Sequence, residues 1–280
     1  MALPLWQTVV YAVLTLVLMF GMGASLTPDV FRGVLQRPTA FFGGLGCQFV
    51  ALPLLGLAAA RGLALAPSDT LGLMLMVTVG GGNASNMLSY LVRADVALSL
   101  SMTVAATFAS IALTPVWLSL VAGEGSAVPL RAVAVTVTMM AVPVPLGMAL
   151  RARSPAVAAG IDRAGRLAGF ALLGIILATG AADVLGSIAT APAAVFAACG
   201  LVSGGGMLLG SGLGYLLGVP RVQWLAMGLE TGVQNLPAAL AIVIGAFPAD
   251  QHAALQRTPL LYATVALLLG ALWCVLHRPR

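Results

Sequence analysis

Thr78-Val-Gly-Gly-Gly-Asn-Ala-Ser-Asn86 lies in the middle of an otherwise apolar run from about Leu71 to Val92. Each of the three consecutive glycines weakens a helix by roughly 1 kcal/mol relative to alanine. Asn83, Ser85, Asn86 and Ser89 then place polar side chains where a bilayer offers only hydrocarbon. A second apolar run, about Val222 to Phe247, is interrupted near its centre by Glu230-Thr-Gly-Val-Gln-Asn-Leu-Pro237. Irregular backbone at membrane depth persists only where it is buried in protein or lines an aqueous cavity. Two Gly/Pro-interrupted spans in corresponding halves of a chain point to a transporter binding site. The pattern predicts an all-α polytopic membrane protein built around two broken helices.

Composition supports that class. The chain is 60% hydrophobic and 8% charged, against about 25% charge in soluble domains. All 13 basic residues are arginines, and they sit at span ends rather than on a water-facing domain, which excludes a nucleic-acid binder. Cys47, Cys199 and Cys274 fall inside apolar segments without metal-ligand spacing and read as small core residues. His252 and His277 lie near span ends and read as solvated or interfacial. The N-terminus has no basic n-region and its apolar run exceeds a signal core, so it reads as a retained span.

At about 20 apolar residues per span, nine spans are predicted: 5–26, 39–60, 70–92, 97–121, 129–150, 167–188, 192–218, 222–246 and 257–276. With the N-terminus outside, ten arginines fall on inward connections and the tail, among them Arg93, Arg151, Arg153 and Arg221. Three (Arg61, Arg131 and Arg257) fall outward. The positive-inside rule therefore predicts N-out and C-in. The arginine-rich stretch Ser154 to Arg166 reads as an amphipathic interfacial linker between halves. The broken spans are third and eighth, an odd offset, as inverted repeats require. In an inverted five-plus-five plan these would be spans four and nine, so the first repeat is expected to lack its opening helix.

Glu230 is the one acidic residue near the middle of a predicted span; Asp183 is within reach of an interface. A carboxylate at that depth needs a cation, a proton or a hydrogen-bonded partner. Its neighbours Gln234 and Asn235 and the backbone carbonyls freed by the break are neutral oxygen donors, which suit a hard cation. One carboxylate favours sodium over a divalent ion. Ser99 and Thr103 are four residues apart and share one helical face, whereas Ser101 points elsewhere. Gln48 is the lone strongly polar residue of span two. Gly21, Gly23, Gly204–Gly206, Gly210, Gly212 and Gly214 read as helix-packing positions. No nucleophile–base–orienter set is evident, so the protein is read as a non-enzyme. From the residues alone, a proton-coupled carrier using Glu230 and a non-transporting membrane ligand sensor stay open beside sodium-coupled transport.

Gly81-Gly-Asn-Ala-Ser-Asn86, followed by Tyr90-Leu-Val-Arg-Ala-Asp-Val-Ala-Leu-Ser99 and Thr103, then Glu230-Thr-Gly-Val-Gln-Asn235, resembles the bile acid:sodium symporter family. Met19-Phe-Gly-Met-Gly23 is similar to that family's early motif. The resemblance implies nine helices when the first of ten is absent. It also implies a core domain (39–121 and 192–276) and a panel domain (5–26 and 129–188), with the broken helices crossing in the core. By resemblance, two sodium sites are expected. One uses Ser85, Asn86, Ser99, Thr103 and Glu230. The other uses Gln48, Glu230 and Gln234, with the carbonyls of Thr231 and Val233. The chain departs from the family at Gly80, where proline is usual, and at Asn83, where threonine is common. Tyr262-Ala-Thr264-Val265 stands where bile-acid-binding relatives carry a His-Asn pair.

The half-helix that starts after each break offers free N–H groups and a positive dipole end, which favour an anion. An anionic substrate group is therefore expected near Asn83, Ala84 and Asn235. The expected partners are a small organic anion and the lipid bilayer of the cell's inner (plasma) membrane, with no nucleic acid and no obligatory protein partner. Small carboxylates such as pantoate are favoured over bile-acid-like amphipaths.

Overall fold

The computed structural model describes residues 5–25, 38–121, 128–165, 167–168, 186 and 189–278, and the described residues form helices joined by short turns. Asp29, Arg32, Arg37, Arg166, Asp183 and Arg280 lie outside the described residues, as does most of the expected span 167–188. The remaining eight expected spans each coincide with a helix or a helix pair.

In chain order these are α1 (Leu5–Ala24), α2 (Pro38–Gly62), α3 (Pro67–Thr78), α4 (Asn83–Leu91), α5 (Val96–Val121) and α6 (Leu130–Arg153). After them come α7 (155–165), α8 (Ala193–Leu216), α9 (Arg221–Gly232), α10 (Leu236–Ala246) and α11 (His252–Leu276). Five of the helices, α2, α5, α6, α8 and α11, are long and apolar enough to cross a membrane. The pairs α3/α4 and α9/α10 are too short singly and fill the two interrupted runs. Prolines mark the starts: Pro67 opens α3, Pro220 precedes α9 and Pro237 sits in the first turn of α10. A proline's missing N–H would have had no partner in a first turn.

Close helix packing rests on small residues. α8 lies against α9, where Gly210 and Gly214 let the backbones approach; a Cβ on Gly210 would meet Thr231 Oγ1 at 2.8 Å. Gly206 faces Thr231 and Gly232 in the same way, whereas Gly212 has open space. α1 packs along the second half of α6, and a Cβ on Gly21 would come within 2.7 Å of Gly165 Cα. The stretch expected as an amphipathic interfacial linker, Ser154–Arg166, is helical over 155–165, with Ala158 and Gly165 on its buried side.

His252 also departs from its sequence reading. A 3-10 turn over Ala249–Gln251 starts α11 at His252, five residues earlier than expected. That places the imidazole inside the fold, with Nε2 2.9 Å from the Phe247 carbonyl oxygen. His277 remains at the helix end and stacks on Trp273, with ring centroids 4.5 Å apart.

Candidate functional site

The two breaks cross and complete each other. α3 ends at Thr78 and α4 begins at Asn83; α9 ends at Gly232 and α10 begins at Leu236. Gly80 has φ +84°, a left-handed conformation that glycine adopts without strain. Its carbonyl accepts from the Asn235 N–H at 3.0 Å, and Gly81 bridges Gln234 in antiparallel fashion. Backbone groups released by one broken helix are thereby satisfied by the other, as burial requires. Side chains take up further helix-end carbonyls. Thr114 Oγ1 donates to Thr78 O at 2.9 Å, and both Ser203 Oγ (3.0 Å) and Tyr262 Oη (3.1 Å) donate to Gly232 O. Asn235 caps α10 by accepting from the Ala238 N–H at 3.2 Å.

Glu230, in the last turn of α9, is fully buried beside this crossing. Its Oε1 accepts from Ser85 Oγ at 2.7 Å and, in a very short contact, from Ser99 Oγ; its Oε2 accepts from Thr103 Oγ1 at 3.0 Å. The Ser99 hydroxyl is also 2.7 Å from Asn86 Oδ1, and the Ser85 hydroxyl is 2.6 Å from Gly82 O. Each hydroxyl has one proton and at least two acceptor oxygens in reach. The cluster therefore holds more oxygen lone pairs than protons to fill them. No described cationic side chain bonds Glu230. Ser85, Asn86, Ser99, Thr103 and Glu230, separated widely in sequence, are brought together by three helices.

Gln48 and Gln234, expected at the second ion position, are both buried. Gln48 is fully buried, and neither of its amide atoms has a hydrogen-bond partner. A Cβ on Gly80 would lie 3.5 Å from Gln48 Nε2, so the amide sits at the crossing. Gln234 donates through Nε2 to Thr231 O at 2.8 Å, while its buried Oε1 is unpartnered. Unpaired buried amide oxygens carry a desolvation cost that a bound ion would remove.

Asn83 is exposed and Ala84 half-buried at the start of α4, while Asn235 is buried at the start of α10. Asn235 lines a small cleft together with Met19 of α1, Thr107 and Ser110 of α5, and Val137 and Met140 of α6.

The sequence reading missed several supports. Asp69 is buried in the first turn of α3 and bound by α11: Arg257 Nε donates to Oδ1 at 3.0 Å and Thr258 Oγ1 donates to the same oxygen at 2.9 Å. Nothing local marks that pairing. Tyr262, Ser203 and Thr114 were equally silent, because a single hydroxyl in an apolar span most often serves its own helix.

Crossed half-helices enclosing buried oxygens inside an apolar helical bundle are the arrangement expected of a polytopic membrane transporter. The chain belongs to the sodium bile acid symporter family, whose profile matches residues 12–189. It is 28% identical to the ileal sodium/bile acid cotransporter of Oryctolagus cuniculus over 94% of this chain and 77% of that protein. It is 29% identical to a sodium-dependent organic anion transporter of Rattus norvegicus, over 97% and 74%. A probable chloroplastic sodium/metabolite cotransporter of Arabidopsis thaliana is 38% identical over 39% of this chain and 28% of its own length.

Proposed function

We propose that this protein is a symporter that couples sodium entry to uptake of a small organic anion. The observation that carries the reading is the Glu230 carboxylate, buried with no cationic side chain bonding it among the described residues and ringed by the hydroxyls of Ser85, Ser99 and Thr103. Hard alkali cations take such oxygen sets. One sodium ion occupies Ser85, Asn86, Ser99, Thr103 and Glu230. A second uses the amide oxygens of Gln48 and Gln234, the carbonyls of Thr231 and Val233, and Glu230. The orphaned amide oxygens support that assignment.

Two sodium ions against one carboxylate leave one net positive charge, which draws a monoanion to the half-helix starts at Asn83, Ala84 and Asn235. A small carboxylate such as pantoate is favoured over a bile-acid-like amphipath, because Tyr262-Ala-Thr264-Val265 stands where bile-acid-binding relatives carry a His-Asn pair. Sodium orders the crossing and the crossing holds the anion, so each ligand raises the affinity of the other. One net charge moves per cycle, and 100 mV contributes roughly 2.3 kcal/mol to it. The helices that carry the crossing (39–121 and 192–276) act as a core. They rock against a panel formed by 5–26 and 129–188, in a plasma membrane with the N-terminus outside and the C-terminus inside.

Thermal-shift titration of purified protein with small carboxylates and bile salts, with and without sodium, tests this. Sodium stabilises the wild type and not Glu230→Ala, and the anion stabilises only when sodium is present. A bound ligand at a hundredfold excess over its Kd contributes about 2.7 kcal/mol. Anion binding of equal strength without sodium, or uptake that persists when choline replaces sodium at fixed pH, overturns the reading.

A further inference from the structure

α2 crosses as one helix but changes register once, in a π-turn over Cys47–Ala51. Pro53 accounts for its position. A helical proline offers no N–H to residue i−4, and its ring crowds that residue's carbonyl; for Pro53 the residue concerned is Phe49. The widened turn relieves the crowding, with the Leu52 N–H reaching back to Cys47 O. The Phe49 carbonyl then takes its hydrogen bond from another helix: Trp117 Nε1 of α5 donates to it at 2.9 Å. Gln48, the residue before Phe49, is the buried amide with no partner at either atom. Short π segments recur at functional positions. The added residue turns the two parts of a helix against each other by about 100°, so Gln48 cannot keep its direction if the turn reverts.

We propose that Pro53 and Trp117 are positioning residues for the second cation site, an assignment that rests on the sodium reading above. Pro53 imposes the π-turn, and Trp117 holds the carbonyl that the turn exposes. Together they aim the Gln48 amide at Gly80 and the crossing. α5 thereby serves both ion positions, through Ser99 and Thr103 for one and Trp117 for the other.

The test is a sodium titration of thermal stability, in a choline background, for the full-length wild type, Trp117→Phe, Gln48→Ala and the double variant. Trp117→Phe keeps a ring and removes the donor. Outer supports of metal ligands change affinity by roughly 10- to 100-fold, so the sodium half-saturation rises by that factor and the Hill slope falls. The double variant matches Gln48→Ala alone, because one residue acts through the other. Additive effects, or a lowered melting temperature with unmoved half-saturation, overturn the proposal. Should Trp117→Phe not fold, Pro53→Ala decides: it returns an N–H to the Phe49 carbonyl, and sodium affinity falls while melting temperature holds or rises. Unchanged sodium affinity in Pro53→Ala overturns the proposal. A wild type without any sodium response removes the underlying reading and this proposal with it. A wild-type response left intact by both variants overturns this proposal alone.

Discussion

Gly81 lies so close to Glu230 that a Cβ on the glycine would overlap the carboxylate oxygen Oε2. The glycine is thus a spatial requirement of the site and not only a helix breaker. Gly81→Ala is expected to displace the carboxylate and abolish sodium-dependent stabilisation. Gly212→Ala, with open space around the added methyl, serves as the matched control and leaves the sodium response intact. Sodium titration of both variants by thermal shift checks the contrast.

Ser99 and Ser101 are both fully buried on α5, yet their hydroxyls differ. Ser99 bridges Glu230 and Asn86, whereas Ser101 Oγ has no partner. Ser99→Ala is expected to lose sodium-coupled uptake in proteoliposomes. Ser101→Ala removes an unsatisfied hydroxyl and leaves uptake unchanged, with stability equal or raised by up to about 1 kcal/mol. Equal losses in the two variants contradict the site.

Asp69 and Arg257 differ in access to water: the Asp69 side chain is 1% exposed and that of Arg257 is 20% exposed. Removing one partner of a buried pair leaves the other charge unpaired, at about 3–5 kcal/mol when it has no route to solvent. Arg257→Ala strands the buried carboxylate and is the costlier change. Asp69→Ala leaves a guanidinium that reaches water and costs less. Melting temperatures in one detergent rank the two, and the reverse order refutes the asymmetry.

Ser203 and Tyr262 share a single acceptor, the Gly232 carbonyl at the end of α9. Either donor satisfies it. Ser203→Ala and Tyr262→Phe therefore each cost at most about 1 kcal/mol, while the double variant costs more than their sum because the carbonyl is then bare. A double-mutant cycle on thermal stability measures the excess.

The breaks were legible because glycine, asparagine and proline conflict with a continuous apolar helix whatever surrounds them. Glu230 was legible because a carboxylate in mid-span demands an explanation, and Ser99 with Thr103 because helical spacing puts them on one face. The ion pair of Asp69 with Arg257 was not, since each residue by itself looks like an ordinary span-end charge. The π-turn in α2 had a local cue in Pro53, but its direction depends on Trp117, which comes from another helix. His252 was misplaced because a short 3-10 turn moved the helix start, a shift that apolar periodicity does not register.

Taken alone, the order of residues determined where the chain is apolar, where helices must stop, and that one acid lies too deep for water to solvate it. Those are local properties of propensity and hydropathy, carried by each stretch independently. Only tertiary packing decided that Gly80 and Asn235 would satisfy each other's backbone, that three hydroxyls would converge on Glu230, and that Trp117 would reach the Phe49 carbonyl. Such pairings arise because every buried polar group must find a partner, and in a folded bundle that partner is supplied by whichever helix the packing brings alongside.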